Sequence, residues 1–301
     1  MGFVKRIFLF IVINFLVLIT ISVILSLFNI RPFINQYGVS YTDLMIFCLV
    51  WGMGGALISL GLSRIMAKWM VGVKVINPHT SDPQGQRLLQ MVDALRRKAK
   101  LAQMPEVGIY SSAEVNAFAT GPTKKRALVA VSTGLLDKMD AAQIEGILGH
   151  ELTHIANGDM VTMTLLQGVI NAFVMFLARA LALALSGFGR GNQQRGSYGS
   201  FVFFTFIFQT LFMVLGSMVV FWFSRKREYR ADAGGAHLAG KEKMISALEG
   251  LKAYVRQKVP AQQQEALQTF KISTPSKAGA FAQLFASHPP LDDRIAALKN
   301  N

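Results

Sequence analysis

The chain has 301 residues, 52% hydrophobic and only 16% charged, where a soluble domain averages about 25% charged; this argues against an ordinary cytosolic enzyme and excludes disorder. A single cysteine, Cys48, excludes an intramolecular disulfide framework and a thiolate zinc cluster. The net charge of +14 points to nucleic acid or to an anionic membrane surface.

The first element is an uncharged stretch of 22 residues, 7–28, long enough for a helix across a bilayer, which takes roughly 20 apolar residues. It is long for a signal-peptide core and no Ala-x-Ala site follows, so it reads as a retained span. Residues 44–63 form a second uncharged stretch, in which Gly52, Gly54, Gly55 and Ala56 make a small-residue patch suited to helix packing. Residues 82–102 read as an amphipathic helix with a basic face of Arg96, Arg97, Lys98 and Lys100. Short β-like runs follow at 107–110, 117–120 and 127–132, the last two separated by a turn around Gly121-Pro122. Asp140 with Gln143 makes a capping box that opens a helix running to residue 159. Residues 161–185 are a third span whose one charge, Arg179, lies close enough to the outer end to snorkel. A Gly/Ser/Gln-rich loop at 186–200 leads to a fourth span at 201–223. Two more helices are predicted at 262–270 and at 291–298, the latter just after Pro289-Pro290.

Positive charge near the span ends sets orientation. Nine cations (Lys5, Arg6, Arg64, Lys68, Lys74, Arg225, Lys226, Arg227 and Arg230) stand on one side, against Arg31, Arg190 and Arg195 on the other. Both termini are therefore expected in the cytoplasm. The basic excess is then a topology signal, reinforced by anionic lipid, and no recognition motif suggests nucleic acid. The predicted organisation is two N-terminal spans in 1–63, the first part of a cytoplasmic domain in 64–160, a membrane hairpin in 161–223, and the rest of the domain in 224–301.

The strongest chemical signal is His150-Glu151-Leu152-Thr153-His154. On a helix, positions i and i+4 share a face, so both imidazoles can meet one metal. Glu151 projects beside them and can accept a proton from water. Imidazole and carboxylate donors suit zinc, which in catalytic sites takes three protein ligands. A third histidine six residues downstream is excluded, because Asn157 and Met160 stand around that position. The segment Arg227-Glu228-Tyr229-Arg230-Ala231-Asp232 supplies the other known solution: Glu228 as ligand, and Asp232, one turn on, hydrogen-bonded to a ligating imidazole from behind. Taken alone, Glu228 reads as a surface ion pair within the run Arg225–Arg230, and only together with the His-Glu-x-x-His helix does it read as a ligand. His79 and His237 have no partners in the sequence and read as ordinary residues.

His-Glu-x-x-His followed by Glu-x-x-x-Asp resembles the gluzincin metalloproteases, and with four spans around it the chain resembles the HtpX membrane proteases, relatives of the prenyl-protein (CAAX) proteases. The resemblance covers essentially the whole chain. It takes in Val115-Asn116-Ala117-Phe118-Ala119-Thr120-Gly121, the zinc helix, the hairpin, Glu228 with Asp232, and Ser287-His288-Pro289-Pro290. It implies a mainly α fold with a small β-sheet, and a bacterial inner-membrane enzyme of stress response and membrane-protein quality control, sometimes self-cleaving. Asn116 is then expected to start a run that lines the cleft and holds substrate backbone, the alternative being a turn-forming asparagine. His288 either donates to the oxyanion or caps the final helix, with Tyr229 a second auxiliary donor.

The sequence thus predicts a zinc endopeptidase of the cytoplasmic membrane, with one Zn(2+) held by His150, His154 and Glu228 and with Glu151 as the base. Its substrates are expected to be misfolded or damaged membrane proteins. The alternative is a catalytically silent membrane chaperone or adaptor on the same fold. A transporter would need paired intramembrane charges or broken helices, and neither is present in the predicted spans.

Overall fold

The computed structural model describes residues 40–186, 198–258 and 288–300. In chain order they form α1 (Tyr41–Met70), β1 (Lys74–Val75), α2 (Pro83–Lys98), β2 (Glu106–Tyr110), β3 (Ala117–Thr123) and β4 (Arg126–Ser132). Then come α3 (Thr133–Lys138), α4 (Ala141–Asn157), α5 (Asp159–Ser186), α6 (Tyr198–Ala239), α7 (Lys241–Lys258) and α8 (Leu291–Asn300). These residues are mostly helical, with one small mixed sheet. The predicted first span, most of the hairpin loop and the predicted helix at 262–270 lie outside the described residues.

Among the described residues, three helices are long and apolar enough to cross a membrane: Thr42–Met70, Asp159–Ser186 and Tyr198–Ala239. At 1.5 Å per residue, the 42 residues of α6 extend roughly 63 Å, about twice a hydrocarbon core. One helix can therefore supply both a span and the polar turns beyond it. The chain divides into two compact units, Met1–Ser59 with Thr164–Ser217, and Leu60–Met163 with Met218–Asn301. In the first, Leu44, Cys48, Trp51 and Met175 cluster. Gly52 meets α5 so closely that a Cβ would lie 2.4 Å from the backbone nitrogen of Ala172, the packing expected of that small residue, whereas a Cβ on Gly54 would meet nothing within 4 Å. Arg179 donates to the carbonyl of Met175 on its own helix at 3.2 Å.

The second unit is built on the sheet, with strand order β1-β2-β4-β3. Strands β2 and β4 are parallel, and the other pairs antiparallel. Strand β4 is buried on both faces, which is why it reads as a continuous apolar run. Val129 and Val131 join the main core with Leu88, Val92 and Leu95 of α2 and Leu148, Leu152 and Ile155 of α4. Leu128 and Ala130 pack on the opposite face with Ala67, Val73 and Tyr110. Glu106, at the start of β2, is ion-paired with Arg64 and, at 2.8 Å, with Lys68.

The local signals act as their chemistry predicts. Asp82 caps α2 ahead of Pro83, and the Asp140–Gln143 capping box opens α4. Two expectations need correcting. The chain does not turn at Gly121-Pro122: β3 continues to Thr123, with a register shift between Thr120 and Thr123. Gly121 has φ +144, and a proline, lacking an N–H, is tolerated on an edge strand at such an irregularity. Nor does the metal-site helix run to residue 159. Gly158, at φ 72, ends α4 in the left-handed conformation, with its N–H returning to the carbonyls of His154 and Ile155, and α5 begins one residue later. Glycine adopts that conformation without a Cβ penalty.

Helix α6 lies hard against α4. A Cβ on Gly234 would stand 2.2 Å from Cγ2 of Thr153, and one on Gly235 would stand 2.9 Å from the backbone nitrogen of His150. Overpacking of this kind costs about 1–3 kcal/mol. Gly234→Ala is therefore expected to lower the thermal unfolding midpoint of the detergent-solubilised protein. An unchanged midpoint would mean that the helices can separate without penalty.

Candidate metal centre

His150 and His154 leave the same face of α4, one turn apart. Their Nε2 atoms stand 3.1 Å apart, and the rings are nearly perpendicular, at 88°. Glu228 of α6 reaches both, with Oε2 3.5 Å from Nε2 of His150 and Oε1 3.4 Å from Nε2 of His154. One ligand atom from each of the three residues can be chosen so that all lie within 4.8 Å of one another. Glu228 is only 1% exposed, so it is not the surface ion pair that its basic neighbours suggest, although Nη2 of Arg227 donates to Oε1 at 3.3 Å.

Both imidazoles are held from behind. Nδ1 of His150 meets Oδ1 of Asp232 at 2.8 Å, and Nδ1 of His154 meets Oδ2 of Asp159 at 2.6 Å. An ionised carboxylate only accepts, so each Nδ1 is the donor, and each ring, when neutral, turns a lone pair inward at Nε2. Two lone pairs and a carboxylate at this distance repel one another unless positive charge lies among them. Tetrahedral zinc, with bonds of roughly 2.0–2.1 Å, sets its ligand atoms roughly 3.3 Å apart. The ring nitrogens at 3.1 Å and the two Glu228 oxygens, one 3.5 Å from His150 and the other 3.4 Å from His154, are spaced on that scale, and the two-histidine, one-carboxylate donor set suits such an ion.

In the protein alone, protons answer the same field. Burial pulls the His150 imidazole down, but its hydrogen bonds with Asp232 and Glu228 outweigh this and raise it to about 9. Burial pushes the Glu228 carboxyl up, yet His150, His154 and His288 hold it well below the usual carboxylate range. Asp232 is likewise lowered: burial opposes, and Arg294 with His150 prevails.

Glu151 is half-buried beside the two histidines, and its charge acts on both rings. His288 is exposed, and its Nδ1 donates to Oε2 of Glu228 at 2.8 Å, which orients the carboxylate. Asn116 lies just ahead of β3, its backbone paired in both directions with Ser132 at the end of β4. Tyr229 is 37% exposed; partial burial and the carboxylates of Asp293 and Asp232 push its phenol up. His79 and His237 are exposed.

Two residues escaped the sequence reading. Arg294 of α8 forks onto Asp232, Nε to Oδ2 at 2.7 Å and Nη2 to Oδ1 at 2.6 Å, from 62 residues away, and no local spacing announces it. Asp159 follows the glycine that ends α4, and only the fold of that turn brings it back to His154. The carboxylate behind His150 is expected to matter to the metal. Asp232→Asn should weaken zinc affinity by about 10–100-fold, the usual range for such partners. An unchanged affinity, measured against a competing chelator, would make Asp232 a purely structural residue.

Known proteins share this chain's pattern. The family description "Peptidase family M48" matches residues 83–301. The chain is 49% identical over 304 residues to the "Protease HtpX homolog" of Bacillus subtilis (strain 168), covering 98% of this chain and 99% of that protein. It is 46% identical over 300 residues to the "Protease HtpX" of Thioalkalivibrio sulfidiphilus (strain HL-EbGR7), covering 98% of each. Among solved structures, the crystal structure of S. mikatae Ste24p matches with a TM-score of 0.63 at 17% identity. That match covers 98% of this chain but 65% of the other, and it shows a shared fold. On this agreement of sequence and fold, the chain belongs to peptidase family M48, with the HtpX proteases, and is a membrane metalloprotease.

Proposed function

We propose that the chain is a zinc-dependent endopeptidase of the cytoplasmic (inner) membrane, with one Zn(2+) per chain, that cuts misfolded or damaged membrane proteins. The observation that carries this reading is the buried convergence of His150, His154 and Glu228 with both outer ring nitrogens engaged by carboxylates. His150, His154 and Glu228 would hold the ion. When bound, zinc supplies a Lewis acid that brings the pKa of water towards neutrality and polarises a peptide carbonyl.

The protein's own groups do the rest. Glu151 takes the proton of the attacking water and delivers it to the leaving amine. Asp232 and Arg294 fix the ring of His150, and His288 fixes the carboxylate of Glu228. The exposed His288 is also within reach of an oxyanion, and Tyr229 is a second candidate donor. Asn116, at the head of edge strand β3, is the proposed start of a backbone-pairing surface for extended substrate. Pairing of that kind gives affinity without demanding a sequence, which suits quality control.

The proposed layout is two N-terminal spans in 1–63, a cytoplasmic protease domain divided between 64–160 and 224–301, and a membrane hairpin in 161–223, with both termini in the cytoplasm. The loop cations support this orientation. Glu228 stands five residues beyond Phe223, roughly 7.5 Å of helix rise, which favours cuts near span boundaries. A silent chaperone or adaptor has no observation in its favour, since His150, Glu151, His154 and Glu228 are all in place.

Base and ligands separate by mutation. Glu151→Gln keeps the shape but cannot accept a proton, and is expected to abolish cleavage of a casein-like substrate while zinc stays bound. His154→Ala is expected to lose both. Near-normal turnover by Glu151→Gln would overturn the mechanism. Orientation is read with cysteines in a Cys48→Ala background: an impermeant thiol reagent added outside should label Ser197→Cys and spare Ser276→Cys. The opposite pattern would place the site on the other side.

A further inference from the structure

The two ligating imidazoles are backed differently. Asp232, behind His150, shares its carboxylate with Arg294 through two short bonds. Asp159, behind His154, is 3% exposed, and among the described residues its one recorded ion pair is with His154 itself. We infer that Asp159 is a positioning residue of the metal centre and, through its undivided charge, the stronger of the two carboxylate supports. The inference rests on the zinc reading of the site given above.

The geometry has a local cause. Asp159 lies five residues after His154, and on a continuous helix it would sit about 140° round the axis from it, at 100° per residue. Gly158 breaks the helix with its left-handed φ of 72. Its N–H bonds back to Ile155 at 3.0 Å, and its carbonyl receives the N–H groups of Val161 and Thr162 at 3.1 and 3.2 Å. The helix is thereby interrupted for one residue, and the Asp159 side chain meets Nδ1 of His154 at 2.6 Å.

The electrostatics follow from the same turn. Asp159 occupies the first turn of the 28-residue α5, where the helix dipole favours negative charge. Its carboxylate is thus stabilised without a guanidinium to draw charge away from the imidazole. A more negative carboxylate behind Nδ1–H makes Nε2 more basic and a better ligand. Asp232, which accepts from both Arg294 and His150, polarises its imidazole less. The same residue also links the ligand to the first turn of an apolar helix.

The test uses the full chain in detergent, with zinc itself as the probe and a chromophoric chelator as competitor. Asp159→Asn keeps an acceptor oxygen but removes the charge, and is expected to weaken zinc binding about fiftyfold, in the upper part of the range for such partners. Asp159→Ala, which also frees the ring, is expected to weaken it about a hundredfold, the upper end for such partners. Asp232→Asn should fall short of Asp159→Asn. A shift of the metal-free unfolding midpoint of Asp159→Asn with zinc affinity unchanged would make Asp159 a merely structural carboxylate and overturn the inference. Gly158→Ala should weaken zinc binding with every side chain of the centre intact. If Asp159→Asn bound zinc as tightly as the unaltered chain, or more tightly than Asp232→Asn, the inference would be overturned even were Asp159→Ala unable to fold. Should the unaltered chain bind no zinc, the reading beneath would fall, and this inference with it.

Discussion

Everything in the second unit bears on one constraint: three carboxylates are buried around two imidazoles. Glu228, Asp232 and Asp159 are each at most 3% exposed, and a charge taken out of water is tolerated only when it is paired and hydrogen-bonded. Arg294 answers part of that requirement. The remainder is a pocket of negative field with two imidazole nitrogens aimed into it, an environment that draws in protons or a divalent cation. Stability and chemistry thus share one set of contacts.

The packing exists to hold that set together. Glu228 and Asp232 are four residues apart on one helix, so the approach of α6 to α4 decides both distances at once. Gly234 and Gly235 permit the approach. On its other sides α4 is wedged between the core of α2 and the sheet, with Leu148, Leu152 and Ile155 fully enclosed. The histidines are therefore mounted on a helix that can neither slide nor roll without opening the core. Rigid elements hold ligand geometry more closely than loops do.

The helices that carry the centre are also those with spanning length. Glu228 and Asp232 belong to α6, whose first two-thirds are apolar, and Asp159 opens α5. The two are not equivalent. Helix α6 runs through without a break, whereas Gly158 interrupts the passage from α4 to α5. One helix of spanning length carries Glu228 and Asp232 itself, and the other begins, after the glycine, with the carboxylate that meets His154.

Much of the centre was legible in the sequence because helical geometry is local. His-Glu-x-x-His and Glu-x-x-x-Asp each place side chains on one face by the 3.6-residue period, whatever surrounds them. Apolar runs of spanning length and the Asp140–Gln143 box are likewise local, and their outcome follows from nearest neighbours along the chain. What the tertiary structure alone decided is where partners distant in sequence, or separated by a change of backbone conformation, come to lie. Arg294 reaches Asp232 across 62 positions, His288 reaches Glu228 across 60, and Asp159 reaches His154 only because one glycine leaves the helical basin. No periodicity encodes these contacts. They are set when buried charges, brought together by helices packed for apolar reasons, must find partners inside the same small volume.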